Sequence, residues 1–247
     1  MNKEDSTIIQ KIIAESGVFS RREAEALVKD GKVRVNGRLA QVGQMVNRED
    51  NIIVKGQELE LTKRFLYIKL NKPMGYVCTT RDFDNEKNVF DLVKVSQKLS
   101  IVGRLDKDSE GLVLLSNDGD LVNKLTHPRY KVSKVYSVTL SHDLGKSKGD
   151  ILIKAGKIRE AFLSGINLGQ EDGLAKAIRV KHLRGRTFEV VLQQGKKRQI
   201  RRMFRKLGCH ISALKRVRIA NITLGKLRKG QWAKLTREEI DGLKKLG

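Results

Sequence analysis

Two cysteines in 247 residues, Cys78 and Cys209, give no disulfide framework. With no C-x-x-C pair and four scattered histidines, no zinc site can be read either. No uncharged apolar run approaches the ~20 residues of a spanning helix, and the start MNKED has no signal-peptide apolar region. A soluble chain in a reducing cytoplasm is therefore expected. Aromatic residues are scarce, at 5%, and acid is scarcer than base: 28 Asp and Glu against 51 Lys and Arg give a net charge of +23. A folded protein with that imbalance calls for a polyanionic partner, nucleic acid first and an anionic membrane second. At 39% hydrophobic the chain is rich enough to build a core, which excludes disorder as the whole account.

The charge is unevenly divided. Residues 1–60 hold ten basic and ten acidic side chains, so the excess falls entirely on the remainder. It is steepest from Val190 to Arg237, with fifteen Lys or Arg and no acid. Charge thus follows a domain boundary, placed near residue 62, between a neutral module (1–62) and a basic body (63–247).

In the module, Ile8, Ile9, Ile12 and Ile13 repeat at helical spacing and Ser16-Gly17 stops that helix. Ser20-x-x-Glu23 is a capping box that starts a second helix, ended by Gly31. KVRVNGRLA alternates around Asn36-Gly37, a two-residue hairpin signal, and NIIVKGQELEL adds a further strand. A helix-hairpin packing module and an RNA-binding module both fit; the second needs Arg21, Arg22, Lys32 and Arg34 on one surface. The stretch ESGVFSRREAEALVKDGKVRVNGRLA resembles the alpha-L RNA-binding domain first seen in a small-subunit ribosomal protein. That resemblance implies that the second helix and the hairpin face RNA.

The body reads as α+β. YIKLNKP, SIVGRL, LVLLS, VSKVYSVTL, LAKAIRVKHL, TFEVVLQ and ANITLGKL have strand character, with a hairpin tip at Arg184-Gly185. DLVNKLTH and RQIRRMFRKL have helical character, ended by Pro128 and Gly208. SHDLGKSKGD is the most linker-like interior segment.

The densest acidic cluster of the body, Asp106-Lys-Asp108-Ser-Glu110-Gly111, lies between two apolar strands and is read as a loop. As a calcium loop it fails, because its twelfth position is Asn117 where a bidentate Glu is required. Gly145-Lys146-Ser147 ends like a phosphate loop but lacks the earlier glycine, and no G-x-S-x-G elbow marks a serine nucleophile. What is left is a carboxylate among cations. Asp106 follows Arg104 at a strand end, where nearby Arg or Lys would keep it ionised to attack an electrophile or take a proton. The bland reading of the same residues is a tight turn capped by Asp106, Asp108 and Ser109.

In RQIRRMFRKLG, Ile200, Met203, Phe204 and Leu207 form an apolar stripe, while Arg198, Arg202, Arg205 and Lys206 lie largely on other faces. Charge continues through Lys196, Lys197 and Leu214-Lys-Arg-Val-Arg without one acid, a pattern suited to phosphate contacts. Tyr136 is placed to stack on a base or to pack as a strand residue.

GRLDKDSEGLVLLSNDGDL resembles the catalytic motif of the ribosomal-RNA pseudouridine synthases of the RsuA/RluB/RluF type. KLNKPMGYVCTT, KVYSVTL and QGKKRQIRRMFRKLG resemble the family's other motifs, in family order. The resemblance implies a mixed, mainly antiparallel sheet with flanking helices behind the alpha-L domain, no cofactor, no metal, and a monomer. It implies that Asp106 is the catalytic aspartate, acting as nucleophile at the anomeric carbon or as base at the adjacent one. Tyr136 would stack on the target base, Arg201 would salt-bridge Asp106, Arg104 would fill the space of the flipped nucleotide, and Ile200 would pack against the pocket. KDSEGL, VNKL and RIANITLGKLRKGQW are more similar to the large-subunit branches, which implies 23S ribosomal RNA near the peptidyl-transferase region, with a tRNA as a second substrate left open. A non-catalytic RNA-binding ribosome-assembly factor is the alternative.

Overall fold

The computed structural model describes residues 6–60, 65–81, 84–145, 147–169 and 171–246. The junction expected near residue 62 lies outside them, as do MNKED and Lys146. The described residues form two compact units: one comprises the chain up to Tyr67 with Val95–Ser100 and Ser116–Asp120, the other Ile68–Lys94, Ile101–Leu115 and the chain from Leu121 onward.

In the first unit a short strand, β1 (Thr7–Ile8), leads into helix α1 (Ile9–Glu15). Ile9, Ile12 and Ile13 are fully buried there as one apolar face, whereas Ile8, expected with them, ends β1 before the helix begins and is exposed. Helix α2 (Arg21–Lys29) opens as its sequence predicts: the Ser20 hydroxyl accepts from the Glu23 amide, and the Glu23 carboxylate accepts from the Ser20 amide at 2.7 Å. Strands β2 (Val33–Val35) and β3 (Arg38–Leu39) close around Asn36 and Gly37, both at positive φ as a type I′ turn demands. β4 (Met45–Val46) pairs with β1, while β5 (Ile52–Val54) and β6 (Gln57–Glu58) form a second hairpin on β2. Ala24, Leu27, Val28, Val33, Val46, Ile52 and Val54 join the isoleucines in one core. Each large side chain buried in it stabilises by about 1.5–3 kcal/mol. Two distant segments belong to this unit: the Lys98 amide donates to the Gly17 carbonyl at 2.8 Å, and Tyr67 donates its hydroxyl to Asp118 at 2.7 Å.

The second unit is built on a mixed sheet. Its strands are β7 (Tyr67–Lys72), β8 (Ser100–Val102), β9 (Glu110–Ser116), β10 (Lys134–Leu140), β13 (Arg179–Arg184), β14 (Thr187–Leu192), β15 (Ile211–Ile219), β16 (Ile222–Thr223) and β17 (Trp232–Lys234). β11 (Ile166–Asn167) and β12 (Leu174–Ala175) form a separate hairpin. The order across the sheet is β13-β14-β10-β15-β9-β7-β17, with β8 on β9 and β16 on β15. The registered pairs are antiparallel except β9 with β15, which run parallel at Lys215↔Glu110 and Arg216↔Gly111. Helices α3 (Val89–Leu92), α4 (Gly119–Thr126), α5 (Lys148–Ser164), α6 (Gln199–Lys206) and α7 (Arg237–Lys244) complete an α+β fold. No helix among the described residues is long and apolar enough to cross a membrane.

The segment that reads as a linker, residues 141–150, stays irregular up to Ser147 among the described residues and then runs into a helix. Ser147 and Asp150 make a capping box that starts α5, a helix of 17 residues. Its buried stripe is only Ala155, Ile158 and Phe162, while Leu152 and Ile153 are exposed, so apolar residues off the stripe blur the periodicity. Ile200, Met203 and Phe204 of α6 are buried as their spacing predicts, and Phe204 packs on Phe162 and Phe188 at centroid distances of 4.7 and 5.7 Å.

Candidate active site

The acidic cluster forms a loop between β8 and β9. The Ser109 amide donates to the Asp106 carbonyl at 3.1 Å, closing the tight turn that the sequence suggests. Two buried cations fasten this loop. Arg216, 1% exposed on β15, donates Nε to the Leu112 carbonyl at 2.7 Å, Nη2 to Gly103 at 2.7 Å and Nη1 to Arg104 at 3.3 Å. It therefore holds the chain before and after Asp106. Lys72, fully buried at the end of β7, donates to the Ser109 carbonyl at 2.7 Å and to Pro73 at 3.0 Å. Burial pushes its pKa down, against the pull of Cys78, Asp106 and Asp108. Gly111 is required by this arrangement: at φ +108°, a Cβ there would lie 2.3 Å from the Arg216 carbonyl oxygen.

Asp106 borders a cleft of about 680 Å³. Six other residues singled out in the sequence border it too: Arg104, Tyr136, Lys196, Lys197, Arg198 and Ile200. Tyr136 is mostly buried on β10, opposite Val190 of β14 and Arg216 of β15, so strand pairing fixes its position. Arg201, Arg202 and Arg205 are not among the residues that border the cleft.

The expected ion pair between Arg201 and Asp106 is not the one the structure holds. Arg198 and Arg201, three residues apart at the start of α6, both turn toward Asp108. Arg198 grips its carboxylate with Nη1 at 3.0 Å and Nη2 at 2.6 Å, and Arg201 lies with Nε 3.4 Å away while donating Nη2 to the Asp108 carbonyl at 2.7 Å. The Arg198 bond lowers the Asp108 pKa, with the Arg201 charge helping. Among the described residues, the cation within 4 Å of the Asp106 carboxylate is Arg198, with Nη1 at 3.9 Å. Asp108 takes the forked bond and Asp106 is left facing the cleft.

The basic run meets three different fates. Lys197 and Arg205 are exposed. Arg202 is drawn to Asp172 and the Leu168 carbonyl, and Lys196 to the carbonyls of Asp172 and Leu174, which ties the β11–β12 segment to α6. Arg216, which the sequence places in a stretch suited to phosphate, is buried among carbonyls instead. Spacing gave no sign that Lys72 and Arg216 would be buried against the loop; for Arg216 the one usable signal was its alternation with Leu214 within a strand-like stretch. In the first unit Arg21, Arg22, Lys32 and Arg34 are all exposed, with Lys32 3.4 Å from Asp30 and Arg34 donating to the Gly37 carbonyl at 2.9 Å. Among the described residues no group of three or more His, Cys, Asp or Glu is arranged to hold a metal ion.

Comparison with known proteins assigns the family. The family described as RNA pseudouridylate synthase matches residues 66–206, and the S4 domain matches residues 9–52. The dual-specificity RNA pseudouridine synthase RluF of Escherichia coli (strain K12) is 37% identical over 250 residues, covering 100% of this chain and 81% of its own length. The ribosomal large subunit pseudouridine synthase B of Buchnera aphidicola subsp. Schizaphis graminum is 38% identical over 239 residues, covering 92% of this chain and 89% of its own. A crystal structure of a pseudouridylate synthase aligns with a TM-score of 0.66 at 28% identity, over 96% of this chain and 99% of that one. With an S4 domain earlier in the sequence and a family match over residues 66–206, this chain belongs to the RNA pseudouridylate synthase family.

Proposed function

We propose that this RNA pseudouridine synthase uses Asp106 as its catalytic carboxylate, with 23S ribosomal RNA near the peptidyl-transferase region as substrate. The observation that carries the reading is that Asp106 and Tyr136 border the same cleft, with Arg198 3.9 Å from the carboxylate. In the reaction the bond from C1′ to N1 breaks, the uracil turns, and C5 bonds to C1′; the proton lost from C5 is matched by one gained at N1. Asp106 acts on the ribose, as nucleophile at C1′ or as base at C2′, and Tyr136 stacks on the extruded base. Arg104 takes the space the nucleotide leaves in the RNA, and Ile200 forms an apolar wall of the pocket. A stacked uridine does not expose its glycosidic bond, so extrusion costs a few kcal/mol, which phosphate contacts of the exposed Lys197 and Arg205 offset.

The choice of large-subunit RNA is supported by the names of the relatives, one of which is a ribosomal large subunit enzyme. The dual-specificity name of RluF supports a second RNA substrate, which we take to be a tRNA. In this reading the S4 domain, within residues 1–62, adds RNA contacts through Arg21, Arg22, Lys32 and Arg34, and the enzyme works as a monomer in the cytoplasm. Mapping pseudouridine on ribosomal RNA and tRNA from cells lacking the protein, complemented with wild type or Asp106→Asn, tests it. Sites restored by wild type and not by the variant are expected; a map unchanged by loss of the protein, together with purified enzyme inert on ribosomal RNA fragments, would favour an RNA-binding assembly factor.

A further inference from the structure

Heterolysis of the bond from C1′ to N1 leaves an electron pair on the uracil, whichever way Asp106 acts. That charge spreads over N1 and the flanking carbonyl oxygens until C5 attacks C1′ and the ring is neutral again. A cleft that speeds the step has to stabilise this transient anion, and a fixed cation in a water-poor wall does so far better than one in open solvent. The Asp106 carboxylate has the wrong sign, and Arg198 is already forked onto Asp108.

Lys134 meets the requirement. It lies two residues before Tyr136 on β10, so both side chains leave the same face of the sheet, and both border the cleft with Asp106. Its ammonium donates to the Val132 carbonyl at 3.2 Å, and among the described residues no carboxylate lies within salt-bridge distance. Lysine has three donors, so capacity is left for a ligand. Burial, with the Arg216 guanidinium adding to it, brings its pKa down to about 8. Desolvating a cation without a counter-ion costs free energy that an arriving anion returns. Arg216 flanks the same Gly103 as Lys134, yet its guanidinium is spent on the carbonyls of Gly103, Arg104 and Leu112.

We propose that Lys134 is a catalytic residue that donates a hydrogen bond to a carbonyl oxygen of the departing uracil and holds its negative charge during the rearrangement. The inference rests on the reading of this cleft as the seat of the reaction. The test measures single-turnover glycosidic cleavage at saturating RNA, together with RNA affinity, for wild type, Lys134→Met, Lys134→Arg and Asp106→Asn. Lys134→Met keeps the stem and removes the charge; Lys134→Gln reports the same quantity where the methionine variant does not fold. Either is expected to slow cleavage tenfold or more with affinity changed less than threefold, and Lys134→Arg is expected to recover part of the rate. With 5-fluorouridine at the target position, whose electron-poor uracil leaves more readily, the deficit of the uncharged variant shrinks. A rate within twofold of wild type overturns the proposal, as does a loss confined to affinity, which would make Lys134 a phosphate contact. Cleavage retained by Asp106→Asn would instead overturn the underlying reading, so the two failures are distinct.

Discussion

The two units use charge in opposite ways. In the first, apolar side chains fill the core and, Asp118 beneath Tyr67 apart, ions pair along the surface, as in Lys29 with Glu25 at 2.6 Å and Glu23 with Lys98. In the second, cations go inside: Lys72 and Arg216 are the largest fully buried charged side chains, each satisfied by backbone carbonyls, with no carboxylate in salt-bridge range among the described residues. The first arrangement costs little and specifies little. The second costs desolvation, and it fixes the course of one loop to within hydrogen-bond tolerance. The lesson is that a net charge of +23 is two populations, one exposed to solvent and one buried against the backbone of the loop that carries Asp106.

The largest expected break in this contrast is Arg216→Met. Three carbonyls lose their donor, each at about 1–3 kcal/mol, so a fall in melting temperature of many degrees and a loss of cleavage of a hundredfold or more are expected. A variant with wild-type melting and rate would show that the loop is held without Arg216. Arg201→Lys comes next. A point charge cannot span the Asp108 carbonyl and carboxylate as the planar guanidinium does, so a tenfold or greater loss of single-turnover rate is expected with RNA affinity retained.

A pH titration sharpens the comparison from the buried side. The Lys134 pKa is about 8 in the folded chain against 10.5 for the free side chain, so between those values the unfolded chain binds the extra proton. Stability therefore rises with pH across that window, by up to about 3 kcal/mol, and the penalty is carried in full below pH 8. Chemical denaturation should show a steeper rise in wild type than in Lys134→Met, which keeps the buried Lys72; parallel curves would contradict it.

The smallest effect belongs to the surface of the first unit. The Lys98 bond and the capping box lower the Glu23 pKa from 4.5 to about 2, so its contribution is present above pH 4.5 and is lost as pH falls toward 2. Glu23→Gln should cost about 1 kcal/mol or less at neutral pH and nothing at pH 2, read from paired melting curves.

Much of this was legible in the chain because it was locally encoded. The Ser20–Glu23 box, the Asn36-Gly37 turn, the α6 stripe and the turn at Asp106–Ser109 each depend on neighbours within a few residues. What escaped depends on partners far away in sequence. Nothing around position 216 says that its guanidinium meets carbonyls at 103, 104 and 112, and a run of basic residues reads as surface until a strand register places one of them inside. The exchange of Asp108 for Asp106 as the partner of Arg201 has the same origin: two carboxylates two residues apart look equivalent until the turn sends one to α6 and leaves the other to the cleft.

The parallel register of β9 with β15 also sets the order of events during synthesis. Asp106 emerges soon after Lys72, the first of the two cations that fasten its loop, but Arg216, the second, comes 110 positions later, so the loop is completed only through a contact of very high sequence separation. Until β15 has formed, the loop that carries Asp106 has only its Lys72 tie, so its final course waits on a strand made much later.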